Sequence, residues 1–455
     1  MSEFLSGDKV GSATYALFES EIHGVGVKAL KPFEAEEVIF QEQPDTMMQS
    51  IPNKQLCLVC GCCSRFIGSH QFQSGVLQKS IERSALVTTS AVPGAIFFNC
   101  KNCCGELYCS ESCREKHWSE KAHCMLCTGC LREEEVETSP LYALKVFAVE
   151  TNEIFLMVAE VLGKLCLKVD RMVEAEGKSL TEALIKATEP YETFVRREWW
   201  EVAVSSSEST KKSKEAFKAT LRSLVNDCWE LMDDVLHISE KGYDSVINAE
   251  YIARTIGMFE QNNVGVRLRS PLALLVESLQ PGDARIAAIL SDTKEIVSKI
   301  EGDAWCDAED GDETESEEDE IEAEEEIGDV DGVIKSGDRD EQRHFDTSTS
   351  DAKLNELHTV LNDEVIDNVF PPLDGTAFYL TICRINHSCV PNVVVRYASN
   401  ADKGLVAHLT ALCHINPDEE LVQSYIDQSL PFEDRQRALL DYGIVCTCLK
   451  CRDRA

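Results

Sequence analysis

The feature that most constrains this chain is a run of closely spaced thiols between residues 57 and 130. It opens with "CLVC" at 57–60 and closes with "CKNCCGELYCSESCREKHWSEKAHCMLC" at 100–127. A block this small cannot build an apolar core that offsets the entropy of ordering it, so cross-links must help. Which kind depends on the compartment. The opening "MSEFLSGDKVGSATY" lacks the apolar core of a signal peptide, and no segment is apolar for the length of a bilayer. An intracellular location, where thiols stay reduced, is therefore expected for a chain with 21 Cys. There the spacing argues for zinc. Cys57 and Cys60 form one C-x-x-C and Cys100 and Cys103 a second, while Cys109 with Cys113 and His123 with Cys127 share a wider offset. Seven Cys and one His make a full set for two tetrahedral ions. Cys62, Cys63, Cys104, Cys124 and Cys130 fall outside this scheme and are expected as packed or exposed thiols.

The whole 455-residue chain, with a hydrophobic fraction of 44%, has material for two or three soluble domains. Residues 12–44 hold short β-rich segments around "EIHGVGVKALKPFEAEEVIF". From Ser139, an expected N-cap with Pro140 at the first helical position, the pattern turns helical. Leu144, Phe147, Ile154, Met157, Val158, Val161 and Leu165 form one apolar stripe. Helical patterns recur around 211–239, 282–301 and 352–366, with a mixed segment at 251–275 broken at Gly257 and Gly265. A β-rich end runs from Ala377 to Tyr425. The formal net charge of −36 argues against direct, sequence-specific nucleic-acid binding, which needs basic surface. Residues 303–331 contain no Lys or Arg. They are expected as a solvated, disordered insertion that also attracts a basic substrate.

Two further stretches carry chemistry. "RINHSCVPNVVV" at 384–395 sets Asn386, His387, Ser388 and Cys389 before a β-branched run, and "CTCLKC" supplies Cys446, Cys448 and Cys451 near the end. Three thiols are an incomplete tetrahedral set, and Cys389 is the natural fourth. This arrangement resembles the SET-domain protein-lysine methyltransferases, in which an Asn-His-Ser-Cys strand threads beneath a loop and joins a post-SET C-x-C-x-x-C. "HGVGV" at 23–27 resembles the first SET motif, and "DEELVQSYID" at 418–427 the segment of the active-site tyrosine. "RALLDYGIVCTC" at 437–448 places Tyr442 at the aromatic-channel position. The cysteine block resembles a MYND zinc finger, with Tyr108 and Trp118 matching its pattern. A SET domain split by a MYND finger resembles the SET and MYND domain family, and its short branch without a helical C-terminal domain. That branch includes the fifth vertebrate member and a plant trithorax-related histone methyltransferase.

The resemblance implies an α+β fold: a β-rich SET domain with a pseudoknot, interrupted by the finger and by helical insertions, with a post-SET zinc site. Its parts would be 12–56 and 346–427 for the SET domain, 57–127 for the finger, 139–302 for the helical insertion, 303–345 for the acidic insertion and 428–455 for the post-SET segment. Interleaved pairing would give Cys57, Cys60, Cys109 and Cys113 one zinc, and Cys100, Cys103, His123 and Cys127 another. Cys389, Cys446, Cys448 and Cys451 would hold a third. S-adenosylmethionine would lie against His23, Gly24, Val25, Gly26, Asn262, Asn386, His387 and Tyr425, with Tyr425 catalytic and Tyr442 walling the substrate channel. The neighbouring Asn263 is a close second candidate to Asn262. The implied activity is histone-lysine methylation in chromatin, in the nucleus and also the cytoplasm. The alternatives are methylation of a non-histone basic protein, or an adaptor with a silent SET domain. A proline-rich peptide is the partner implied for the finger. No membrane association is expected.

Overall fold

The computed structural model describes residues 13–20, 24–87, 89, 91–203, 211–306, 349–400, 402–440 and 442–453. His23 and nearly all of 303–345 therefore lie outside the described residues. Contacts divide the chain into two compact units, Met1–Ser270 with Pro371–Ala455, and Pro271–Phe370. Among the described residues no helix is long and apolar enough to cross a membrane.

Among its described residues the first unit holds five small sheets, two of them two-stranded ribbons between Ala91 and Tyr108 and three larger ones. One runs in the order Tyr15–Ser20, Gly24–Ala29, Glu420–Gln423, Asn386–His387, joining the two ends of the sequence. A second sets Leu373–Phe378 between Thr46–Gln49 and Val264–Leu268. The third sets Gly404–Ala411 between Val393–Asn400 and Val38–Glu42. The β-branched run at 393–395 thus starts a long antiparallel pair, with Val393 opposite Ala411 and Asn400 opposite Gly404.

Helices pack on these sheets through aromatic side chains. Phe378, fully buried, meets Phe194 at 4.8 Å, Phe259 at 5.4 Å and Tyr191 at 6.3 Å between ring centroids. Burying each such ring contributes roughly 1.5–3 kcal/mol, so this cluster fixes the helical insertion on the sheet. A polar clamp lies nearby. Asp45 accepts from Lys164 Nζ at 2.8 Å and from Tyr191 Oη at 2.9 Å.

Local signals decide where helices begin. The Ser139 hydroxyl accepts from the Tyr142 N–H, with Pro140 in the first turn. The apolar stripe beyond it is two helices, Pro140–Glu150 and Ile154–Glu174. Asn152 starts the second by accepting from the Ile154 N–H at 2.9 Å, a break the periodicity alone does not mark. Similarly, 352–366 is not one helix: Thr349–Val360 ends, and Asn362 caps a new one at Asp363–Val369. The mixed segment resolves into Ala249–Asn262, the strand Val264–Leu268 and Pro271–Ser278. In the second unit, Leu272, Ile289, Leu357, Ile366 and Phe370 are among the buried apolar residues.

Contrary to the expectation that the cysteine block is too small for an apolar core, the insertion inside the finger has one of its own. Ile67, Phe72, Val76, Leu86, Ala95, Phe97 and Leu107 are buried together. The finger also docks on the third sheet: the Leu405 N–H donates to the Cys63 carbonyl at 2.8 Å. Gly404 sits here at φ +74°, and a Cβ on it would lie 2.2 Å from that carbonyl oxygen. Only glycine fits.

Candidate active site and metal centres

The strand Glu420–Gln423 is held on both sides. Asn386 and His387 run parallel to it, opposite Val422 and Gln423, and Leu421 lies opposite Val27 on its other edge. The buried Asn392 amide secures it further, accepting from the Val422 N–H at 2.8 Å and donating to the Glu420 carbonyl at 2.8 Å. Side-chain and backbone bonds together thus hold this strand between Gly24–Ala29 and Asn386–His387.

Tyr425 follows directly. Its N–H donates to His387 Nδ1 at 3.0 Å and its hydroxyl to the Ile385 carbonyl at 2.7 Å. Its ring lies 5.3 Å from Tyr442 and 5.4 Å from His387. Burial first, then nearby Cys383, Tyr442 and Glu420, push its hydroxyl well above the usual tyrosine range. It is therefore a neutral O–H donor whose lone pairs can face an incoming group. The loop that presents Ile385 is itself pinned. The Glu42 carboxylate accepts from the Thr381 and Ile382 N–H groups, each at 2.9 Å. Burial pushes the Glu42 carboxyl up, against the backbone bonds that favour its charge. From the other side Arg384 donates to the Leu380 carbonyl at 2.7 Å and Thr193 Oγ1 at 2.6 Å, with its guanidinium 3.7 Å from the Phe194 ring centre.

Beside Tyr425 and Tyr442 opens a cavity of about 480 Å³, lined also by Gln261, Asn262, Asn263 and Gln423. The structure therefore brings Asn262, Tyr425 and Tyr442 to one space. Asn262 is committed to its own helix, donating to the Met258 carbonyl at 2.7 Å. Gln261 Oε1 and Asn263 Oδ1 are buried without a hydrogen-bond partner, so they can accept from a bound group. Sequence reasoning passed over Gln261 because nothing in "EQNN" marks which amide faces inward.

Gly24, Val25, Asn386 and His387 are not among the residues lining that cavity. Gly26 meets Asn386 instead. A Cβ on it would lie 2.8 Å from both Asn386 Nδ2 and Glu420 Oε1, which are hydrogen-bonded to each other at 2.8 Å. Gly24 has φ +78°, so its backbone needs glycine.

Three groups of thiols converge among the described residues: Cys60, Cys63, Cys109 and Cys113; Cys100, Cys104, His123 and Cys127; and Cys389, Cys446, Cys448 and Cys451. Within each group the ligand atoms lie within 4.8 Å of one another. Sulfur pairs such as Cys63–Cys109 at 3.6 Å and Cys389–Cys446 at 3.9 Å match the spacing of about 3.8 Å that tetrahedral zinc–thiolate bonds of about 2.3 Å require. The third group is ringed by donors: Gln436 Nε2 lies 3.3 Å from Cys451 Sγ, and buried Arg435 presents Nη2 at 3.9 Å. N–H groups aimed at sulfur suit thiolates, which is the form a metal binds. Burial pushes the Cys448 thiol up, but the Cys451 N–H and the neighbouring thiols outweigh it and hold it at about 7.

Two of the expected ligands, Cys57 and Cys103, lie outside these groups. Cys57 stands outside the first group because it ends the helix Ile51–Leu56, its N–H donating to the Asn53 carbonyl and its sulfur meeting Asn53 and Gln49 at 3.4 Å. Burial pushes its thiol up to about 12. Cys63 takes its place, because the turn after Cys60 returns the Ser64 N–H to the Cys60 carbonyl. Cys103 stands outside the second group: it is exposed, with φ +56° in a tight turn on Cys100. Cys104, the next residue, points inward and meets His123 Nε2 at 3.4 Å.

Comparison with known proteins agrees with this geometry. The SET domain family matches residues 296–426. The histone-lysine N-methyltransferase ATXR2 of Arabidopsis thaliana is 25% identical over 487 residues, covering 94% of this chain and 88% of its own. The N-lysine methyltransferase SMYD2-A of Danio rerio is 37% identical over 121 residues, a span of 25% of each chain. SMYD2 of Homo sapiens is 42% identical over 78 residues, 17% of each. With the tyrosine pair and the thiol clusters in place, these likenesses support the resemblance to the SET and MYND domain protein-lysine methyltransferases.

Proposed function

We propose that this chain methylates a lysine of a histone, with S-adenosylmethionine as donor, and acts on chromatin in the nucleus. The observation that carries the reading is the likeness to ATXR2, which is named a histone-lysine methyltransferase and spans nearly the whole chain. The chain's excess of acid over base, 80 residues against 44, favours a basic substrate.

The donor supplies a methyl on a positively charged sulfur. The residues proposed to hold it are Gly24, Val25 and Gly26, Asn386, the backbone of His387 and Asn262; His23 belongs to the same motif. A substrate lysine has an ordinary pKa of about 10.4 and must lose its proton before it can act. The half-buried aromatic walls of Tyr425 and Tyr442 disfavour its charged form. Its neutral nitrogen then takes the methyl carbon as the carbon–sulfur bond breaks, and the excess proton leaves to solvent. The Tyr425 hydroxyl, fixed on the Ile385 carbonyl, orients the amine. Gln261 and Asn263 offer acceptors for substrate N–H groups. Three zinc ions would hold the finger and the post-SET segment.

A second reading has one observation behind it. The locally higher identities are to SMYD2 proteins, whose names specify lysine but not histone. A non-histone basic substrate, and a proline-rich partner at the finger, therefore stand as alternatives. Labelled S-adenosylmethionine offered with nucleosomes, free histones and a mixture of other basic proteins separates them. The proposal expects a histone lysine to carry the label by mass spectrometry. Labelling confined to the other proteins would replace it with the second reading.

A further inference from the structure

His387 is 5% exposed and has a role that the motif does not specify. It touches two centres at once. Its Nδ1 lies 3.0 Å from the Tyr425 backbone nitrogen, and its Nε2 lies 3.4 Å from Cys389 Sγ. A backbone N–H can only donate, so Nδ1 accepts and carries no proton. In a neutral imidazole the proton is then on Nε2, where the Cys389 sulfur accepts it. The direction of both bonds is thereby set by one obligatory donor.

We propose that His387 is a positioning residue that ties the Cys389 metal site to Tyr425, its Nε2–H donating to the metal-bound thiolate and its Nδ1 holding the Tyr425 backbone. The chemistry runs one way. A thiolate on a metal is a strong acceptor, so it keeps the proton on Nε2 and leaves Nδ1 basic toward Tyr425. The hydroxyl end of Tyr425 is fixed separately on Ile385. Backbone and hydroxyl are thus anchored by consecutive parts of one segment, 385–387, and Cys389 attaches that segment to the terminal cysteines. Loss of metal would release the backbone anchor while leaving the hydroxyl anchor, turning the ring rather than unfolding the strand. A displacement of about 1 Å at a reacting centre can cost on the order of 100-fold in rate.

The inference rests on the metal and Tyr425 assignments above, but its test needs no methyl transfer. Histidines labelled with 15N in the zinc-loaded full chain should give a neutral His387 protonated on Nε2, assigned by its absence from His387→Asn or His387→Gln. A neutral His387 protonated on Nδ1 would overturn the proposal. Asn can still accept from the Tyr425 N–H but cannot reach Cys389. In His387→Asn one zinc of the three should therefore pass to a chelator about 10- to 100-fold faster, the usual cost of losing a partner behind a metal ligand. His387→Gln, which extends an N–H toward Cys389, should release it at an intermediate rate. Release at the wild-type rate from both variants contradicts the proposal, as does finding no zinc on Cys389. If neither variant folds, the tautomer is assigned through labelled Cys389 and Tyr425, and its outcome decides.

Discussion

The half-buried Tyr425 hydroxyl donates to the Ile385 carbonyl and has a cavity beside it. Tyr425→Phe removes that donor and leaves the ring. Methylation should fall about 100-fold or more, the usual cost of deleting one positioned donor, while zinc content stays at the wild-type value. Steady-state kinetics and elemental analysis check both halves. Cysteine chemistry gives a second residue-scale outcome. Cys63→Ser and Cys104→Ser should each lower zinc content, whereas Cys57→Ser and Cys103→Ser should leave it unchanged. The sequence "CLVCGCC" contains two overlapping C-x-x-C pairs, 57 with 60 and 60 with 63, and spacing cannot rank them. Backbone conformation does: a helix ends at Cys57 and a turn closes after Cys60. The same limit applied at Cys103 and Cys104, where one left-handed residue decides which sulfur points inward. By contrast, the convergence of Cys389 with the terminal three was legible, because the Asn-His-Ser-Cys resemblance pointed to it as their fourth.

At the scale of elements, the strand Thr46–Gln49 and the helices Ile154–Glu174 and Leu180–Glu192 meet around Asp45. Asp45→Asn would leave the Lys164 ammonium, only 14% exposed, with the more distant Glu160 carboxylate at 3.8 Å as its remaining ion-pair partner. The loss should be about 3 kcal/mol, the low end for a buried pair losing one partner, because the Asp45 carbonyl still accepts at 2.7 Å. Denaturant unfolding measures it. Gly404→Val tests the finger's dock: the side chain would strike Cys63, so the first metal group should bind zinc less tightly although no ligand has changed. Helix existence was legible from apolar periodicity, and Ser139 with Pro140 marked a start correctly. Breaks at Thr151–Glu153 and Leu361–Asn362 were not, since an Asn that restarts a helix looks like any exposed polar residue until its neighbour's N–H is placed. The pairing of Gly24–Ala29 with Glu420–Gln423 spans almost the entire sequence, and no local signal in either segment marks it.

For the whole molecule, charge and metal set the expectations. Elemental analysis of active protein should give three zinc ions per chain, and Cys448→Ser should give two with reduced turnover. Removing the acidic residues 307–326 should raise KM for a histone at low salt and leave kcat nearly unchanged, a difference that shrinks as salt screens the charge. Beneath both lies the claim that this chain transfers a methyl to lysine through the Tyr425 site. The most direct measurement incubates wild type and Tyr425→Phe with labelled S-adenosylmethionine and nucleosomes, then reads each modified residue by mass spectrometry. The account predicts a methylated histone lysine with wild type and a strongly reduced mark with the variant. Equal marking by the two proteins, or no methyl-lysine on any protein offered, would contradict it.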